Sequence, residues 1–277
     1  MARHRAAGAA LALAAVASLG ACAAPASVRA PDAPRPITAR ESGAAAGAAR
    51  RLALLLVEPF PLAATTAVPA TIVIEAGEAL VEQRLEAPDG ATLTVRTAPD
   101  GALRLLARGG VPTGGPALGE TALVARGLLH LRALGIGLPA GPPLIEVAGG
   151  RRVLLWERRV DGVPVEGDAL RLVLSRSGAL VGVSRPAPAP LAGAPAPMAR
   201  ADATAAGAAA QRLLGTGRVE GTPVLAWVAP GRGGGDEPLE LPRRLAWVVA
   251  GTLGDGTPCA LHLDAATLEL IGWDWAP

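Results

Sequence analysis

Five short turn signals constrain this chain more than anything else in it. Pro88-Asp89-Gly90, Pro99-Asp100-Gly101, Asp161-Gly162, Ser177-Gly178 and Asp255-Gly256 each fall beside short runs that are apolar or alternate apolar with polar. Pro presets φ at a turn, Asp and Ser bond to nearby backbone, and Gly accepts the positive φ that closes it. Flanking runs such as "TLTVRTA", "ALRLLAR", "DALRLVLSR" and "GALVGVSR" are expected to pair as antiparallel strands.

Two stretches change the period. Leu118, Ala122, Ala125 and Leu129 recur every three to four residues, and Gly135 ends the run. That spacing predicts an amphipathic helix of about four turns. "RADATAAGAAAQRLLG" predicts a second, Ala-rich helix capped by Asp202 or Thr204. Strands follow each helix, and the two blocks share landmarks. Arg151-Arg152 with Trp156 matches Arg243-Arg244 with Trp247, and Asp161 to Pro164 matches Asp255 to Pro258. The expected class is therefore α+β: tandem helix-on-antiparallel-sheet units over 117–185 and 199–277. A Pro/Ala linker, 186–198, joins them, and a small β-rich region, 51–110, precedes them.

The first residues carry an address. "MARHRAAGAALALAAVASLGAC" has a short basic start, then an apolar run too short to span a bilayer, then small residues ending at Cys22. Leu19-Gly20-Ala21-Cys22 resembles a bacterial lipobox, which implies signal removal after residue 21 and diacylglycerol on Cys22. Residues 22–50, rich in Ala, Pro and Gly, read as a flexible tether. Ala23 after the Cys implies an outer-membrane address facing the periplasm in a diderm envelope. Without Arg3 and Arg5 the chain holds 24 basic residues against 24 acidic ones, so no basic footprint for nucleic acid exists. Cys259 is the only other Cys, so no disulfide is expected once Cys22 is lipidated.

"WERRVDGVPVEGDALRLVLSRSGALVGVS" resembles the fungalysin/thermolysin propeptide module, with Trp156, Gly162 to Val165 and Gly167 as its landmarks. "RRLAWVVAGTLGDGTPCALHLDAATLELI" resembles the PepSY module that follows it in those precursors, with its Leu-Ala-Trp strand and its Asp264-to-Thr267 turn. Trp156-Glu157 departs from the usual Tyr-Gln start, and Leu268 stands where the pattern has Gly. In that family the propeptide assists and restrains a zinc metalloprotease. The protease is absent here: His4, His130 and His262 are the only histidines, and none forms an H-E-x-x-H helix.

No other constellation carries chemistry. "GRGGGDEP" has no Lys and no following helix, so it reads as a loop rather than a phosphate cradle. Asp236-Glu237 in that loop offers only weak metal contact. Cys259 and His262, three apart on a strand, point to opposite faces. No cofactor, no metal and no catalytic residue are expected. The expected function is a non-enzymatic, envelope-anchored lipoprotein that binds an envelope or secreted protein, with a thermolysin-like metalloprotease as one candidate partner. The alternative is an envelope scaffold that docks through 51–110. Trp156, Gly162, Val163, Pro164, Val165, Trp273 and Trp275 are the residues offered for contact. Trp156, like Trp247, falls in an apolar strand and reads as core as well; Trp273 and Trp275, alternating on one face, either seal the second unit or form an aromatic patch.

Overall fold

The computed structural model describes residues 37–75, 78–111, 115–188, 190–192, 201–232 and 242–275. Cys22 and its leader, and Asp236-Glu237, lie outside those residues. Helix α1 (Ala39–Leu54) leads into β1 (Thr66–Ala67), β2 (Thr71–Glu75), β3 (Glu78–Glu86), β4 (Thr92–Thr97) and β5 (Leu103–Gly109). Helix α2 (Glu120–Ala133) precedes β6 (Leu144–Ala148), β7 (Arg151–Val160), β8 (Val163–Leu174) and β9 (Leu180–Ser184). Helix α3 (Ala203–Leu214) precedes β10 (Arg218–Val219), β11 (Val224–Val228), β12 (Gly231–Arg232), β13 (Arg244–Thr252), β14 (Pro258–Asp264) and β15 (Leu270–Trp275). Few helices and one large, mostly antiparallel sheet make this an α+β fold. No helix among the described residues is long and apolar enough to cross a membrane.

Helix α1 corrects the reading of 39–50 as tether and of 52–54 as strand; residues 22–36 lie outside the described residues. Its start is a capping box: the Glu41 N–H donates to Thr38 Oγ1 at 3.2 Å, and the Thr38 N–H donates to Glu41 Oε2 at 2.9 Å. It buries Ala49 and Ala53 and packs on β3 and β4. Alanine content that reads as tether composition here supplies a close-packing helix face.

The turns form where the sequence places them. Four hairpins close alike: Ala87, Ala98, Ser175 and Leu253 each donate an N–H to the residue four positions on. In three of them Asp89, Asp100 or Asp255 accepts a backbone N–H through Oδ1 at 2.9–3.0 Å. The fifth turn is tighter. Val160 pairs with Val163, so only Asp161 and Gly162 form the loop, at φ 52° and 82°. Two positive φ values match the strand twist of a type I′ hairpin. Gly162→Val is expected to lower the unfolding free energy by about 1–2 kcal/mol in urea titration, and Asp161→Asn to leave it nearly unchanged.

Helix α2 lies on Leu154, Trp156 and Leu172. A Cβ at Gly127 would stand 2.5 Å from Leu154 Cδ1, so a bare backbone is what lets the helix sit this close. Helix α3, capped by Asp202 through the Ala205 N–H at 2.8 Å, buries Ala206, Ala209, Ala210 and Leu214 against Val249, Cys259, Leu261 and Leu263. β5 pairs with β9, so the β-rich region and the first unit share one sheet.

The two units meet at a break in β8. Glu157 pairs with Ala169 and Arg159 with Pro164, so Val165 to Asp168 leave the β7 ladder. Gly167 makes that detour with φ 72°. Val165 is thereby freed to pair with Trp227 of β11. Beyond it, β11, β13, β14, β15 and β12 follow in order. Flat strands about 4.8 Å apart would set β12 about 19 Å from β11. Only Ala229 and Pro230 separate them in the chain, a reach of about 10 Å. This part of the sheet must therefore curl, and small residues permit it. Gly272 approaches the Gly231 carbonyl so closely that a Cβ there would clash.

Candidate functional site

Alternation sorts the side chains of the curled region. Trp247, Val249, Cys259, Leu261 and Trp273 face the α3 side. Ala226, Val228, Ala246, Val248 and Ile271 pack together on the other side. On that helix-free side, where the two units meet, lies an open groove of about 580 Å³. Leu155, Pro164, Ala169, Val224, Ala226 and Val248 give it apolar lining, and Glu157, Glu166 and Arg171 add two carboxylates and a guanidinium. Neither unit holds this groove alone: β7 and β8 form one wall, and β11 and β13 the other.

A polar cluster sits beside it. His262 pairs with Val248 and with Gly272, which fixes it on the helix-free side. It is 3% exposed, and among the described residues neither ring nitrogen has a hydrogen-bond partner. Its Nε2 lies 3.3 Å from Asp274 Oδ2, out of hydrogen-bonding alignment. Ligand atoms of Glu166, His262 and Asp274 all lie within 4.8 Å of one another. Burial pushes the Glu166 carboxyl above the usual range; His262 and Arg243 pull it down, while Asp274 adds to the rise. As a whole residue Glu166 is exposed. Arg243 is 4% exposed, its Nε lacks a partner among the described residues, and its guanidinium lies close to Gly167.

The residues offered for contact divide. Pro164 and Val165 line the groove, Val165 as an almost fully buried floor. Gly162 is exposed at the hairpin tip, and Val163 is half-buried beside Trp227. Trp156 is a correction: at 3% exposure it lies in the core under α2 and presents no surface. Trp273 is partly buried on the α3 side, away from the groove. Trp275 lies in β15 opposite Cys259, and its side chain is outside the described residues. Cys259 and His262 do face opposite sides; burial, and then Glu220, push the Cys259 thiol up.

The Asp264 turn serves structure. Burial raises this carboxyl, but N–H donation from Ala266 and Thr267, with Arg244 at 2.6 Å, outweighs it and holds the group low. Leu268, where the propeptide-like pattern has Gly, takes φ 60°.

Glu166, His262 and Asp274 escape sequence reasoning because they lie in three strands of two units. Their local signal is faint. His262 interrupts "ALHL" and Asp274 separates two Trp, each a polar residue at an inward strand position. The expectation of no metal rests on sequence spacing, and this cluster exists only through the fold.

The structure defines an α+β protein whose few helices pack on one large, mostly antiparallel sheet that continues through a bulged strand. No family model matches the chain, and no curated protein matches it. Among solved structures, the Bacillus megaterium YpeB C-terminal domain is similar at 13% identity and a TM-score of 0.45, over 88% of this chain and 99% of that domain.

Proposed function

We propose that this chain is a non-catalytic, envelope-anchored protein that binds an extended segment of another envelope or secreted protein. Lipid on Cys22 holds it at the membrane. The observation that carries the reading is the apolar groove at the junction of the two units. Strand-borne apolar side chains interspersed with Glu157, Glu166 and Arg171 suit a polypeptide whose alternate side chains point inward. The propeptide-like and PepSY-like motifs make a thermolysin-like metalloprotease the first partner to test, acted on in trans.

The test titrates the chain lacking its first 22 residues into such a protease, following peptide hydrolysis and survival of the added protein together. Dose-dependent inhibition with the added protein intact supports the reading. Val224→Asp, at a 56% exposed groove position, should weaken that inhibition at least tenfold without lowering Tm. Rapid digestion without inhibition removes the protease from the proposal. Equal inhibition by the variant removes the groove.

A further inference from the structure

We propose that Glu166, His262 and Asp274 form a binding site for one divalent transition-metal ion of the Zn²⁺ type, linking the β8 bulge of the first unit to β14 and β15 of the second. This goes beyond the protein-binding reading and stands without it. The strongest observation is His262. A buried imidazole normally satisfies at least one ring nitrogen, and an orphaned buried polar group is costly. Here, among the described residues, both nitrogens lack a hydrogen-bond partner, although a carboxylate oxygen lies 3.3 Å from one of them. A hydrogen bond would align that contact; a shared cation needs no such alignment.

The donor chemistry fits. One imidazole nitrogen and two carboxylate oxygens suit Zn²⁺, which binds such donors at about 2.0–2.2 Å and leaves a fourth position for water. Tetrahedral donors on that ion stand roughly 3.4 Å apart. The present spread, within 4.8 Å, closes to this through side-chain rotation. The movable groups are the right ones: the Glu166 residue is exposed and the Asp274 side chain is 42% exposed, while His262 is held by packing. The sheet supplies the rest. The β8 detour carries Glu166 out of its ladder, and pairing of His262 with Gly272 sets Asp274, two residues further along β15, on the same face of the sheet.

The ion would act as a clasp between the units, since its donors come from both. The experiment uses the chain lacking its first 22 residues, so that the Cys22 thiol cannot compete. Chelator-stripped protein is titrated with ZnCl₂ by calorimetry, and its thermal melt is recorded with and without the ion. The expected result is one ion per chain and a Tm rise of about 5 °C at saturating Zn²⁺. Asp274→Asn should weaken binding at least tenfold and His262→Gln should abolish it, each removing the Tm rise. Should His262→Gln fail to fold by circular dichroism, Asp274→Asn alone decides, because its side chain is substantially exposed. Absence of stoichiometric heat in the hundred-micromolar range overturns the proposal. So does unchanged affinity in Asp274→Asn, which would place the ion elsewhere, at Cys259 or His130.

Discussion

Trp227→Ala is expected to be among the most destabilising single changes in the chain, costing about 3–5 kcal/mol and lowering Tm by about 10 °C. Trp227 is 1% exposed and stands where the two units join. Its backbone pairs with Val165 on one side and Leu245 on the other. Its ring packs in a cluster with Val165, Leu245 and Ala265, against which Val160, Val163 and Leu191 also rest. Truncation would therefore open a cavity bounded by both units, and neither could collapse into it without moving the other. The indole N–H adds a check. It has no acceptor among the described residues, so Trp227→Phe discards a buried unsatisfied donor while keeping most of the ring. Its cost should be well under half that of Trp227→Ala. Thermal melts of the three proteins measure this. A Trp227→Ala loss no greater than that of an exposed substitution would mean that the units are held together by something other than this cluster.

What was legible in the sequence is what is decided locally. Asp161-Gly162 states its own turn, because Asp and Gly tolerate the φ values that a two-residue loop requires. Helix α3 announces itself by its Ala-rich run and by Asp202 at its start. Helix α2 forms where its period predicts, but the face is wrong: Ala122, Ala125 and Leu129 are exposed, and Leu123, Gly127, His130 and Leu131 are buried. Helix α1 also carried a local signal, since Thr38 and Glu41 have capping-box spacing. Ala, Pro and Gly composition around it masked that signal, and only contact with β3 and β4 shows which face is buried. Trp156 illustrates the opposite problem. Its apolar strand reads as core while its place in the propeptide-like motif offers it as an anchor, and the helix packed over it decides for core. The groove and the Glu166–His262–Asp274 cluster were out of reach, because both depend on the β8 detour and the curl through Ala229-Pro230. Those features are set by pairing between distant strands, and no short window contains them.

Glu58→Ala is the second large effect expected, a loss of about 2–3 kcal/mol, and it too rests on a residue that the sequence left unremarked. Glu58 follows α1 in a run that reads as strand, yet its carboxylate serves three elements. Arg126 of α2 donates to Oε1 at 2.6 Å and the Leu180 N–H donates to Oε2 at 3.3 Å. Arg108 of β5 stands 3.6 Å from Oε2 with only 10% of its side chain exposed. Burial lowers the Arg108 pKa and Glu58 opposes that, so removing Glu58 leaves a desolvated cation without its counter-charge. The carboxylate itself is a quarter exposed, which keeps the figure below that of a fully buried pair. Glu58→Gln retains an acceptor for the Leu180 N–H and should cost about half as much. His130 gives the pH signature. Burial lowers its pKa, against the Gly178 carbonyl that its Nε2–H meets at 3.0 Å and against Glu58. The unfolded chain then binds a proton that the folded chain resists. Stability from neutral His130 is complete above about pH 6.5 and is lost as pH falls below it. Without Glu58 the folded-state pKa falls further, so urea titrations at pH 7 and pH 5 should show the gap between wild type and Glu58→Ala widening toward acid. A gap that stays constant would separate His130 from Glu58 and confine the effect of the substitution to Arg108 and Arg126.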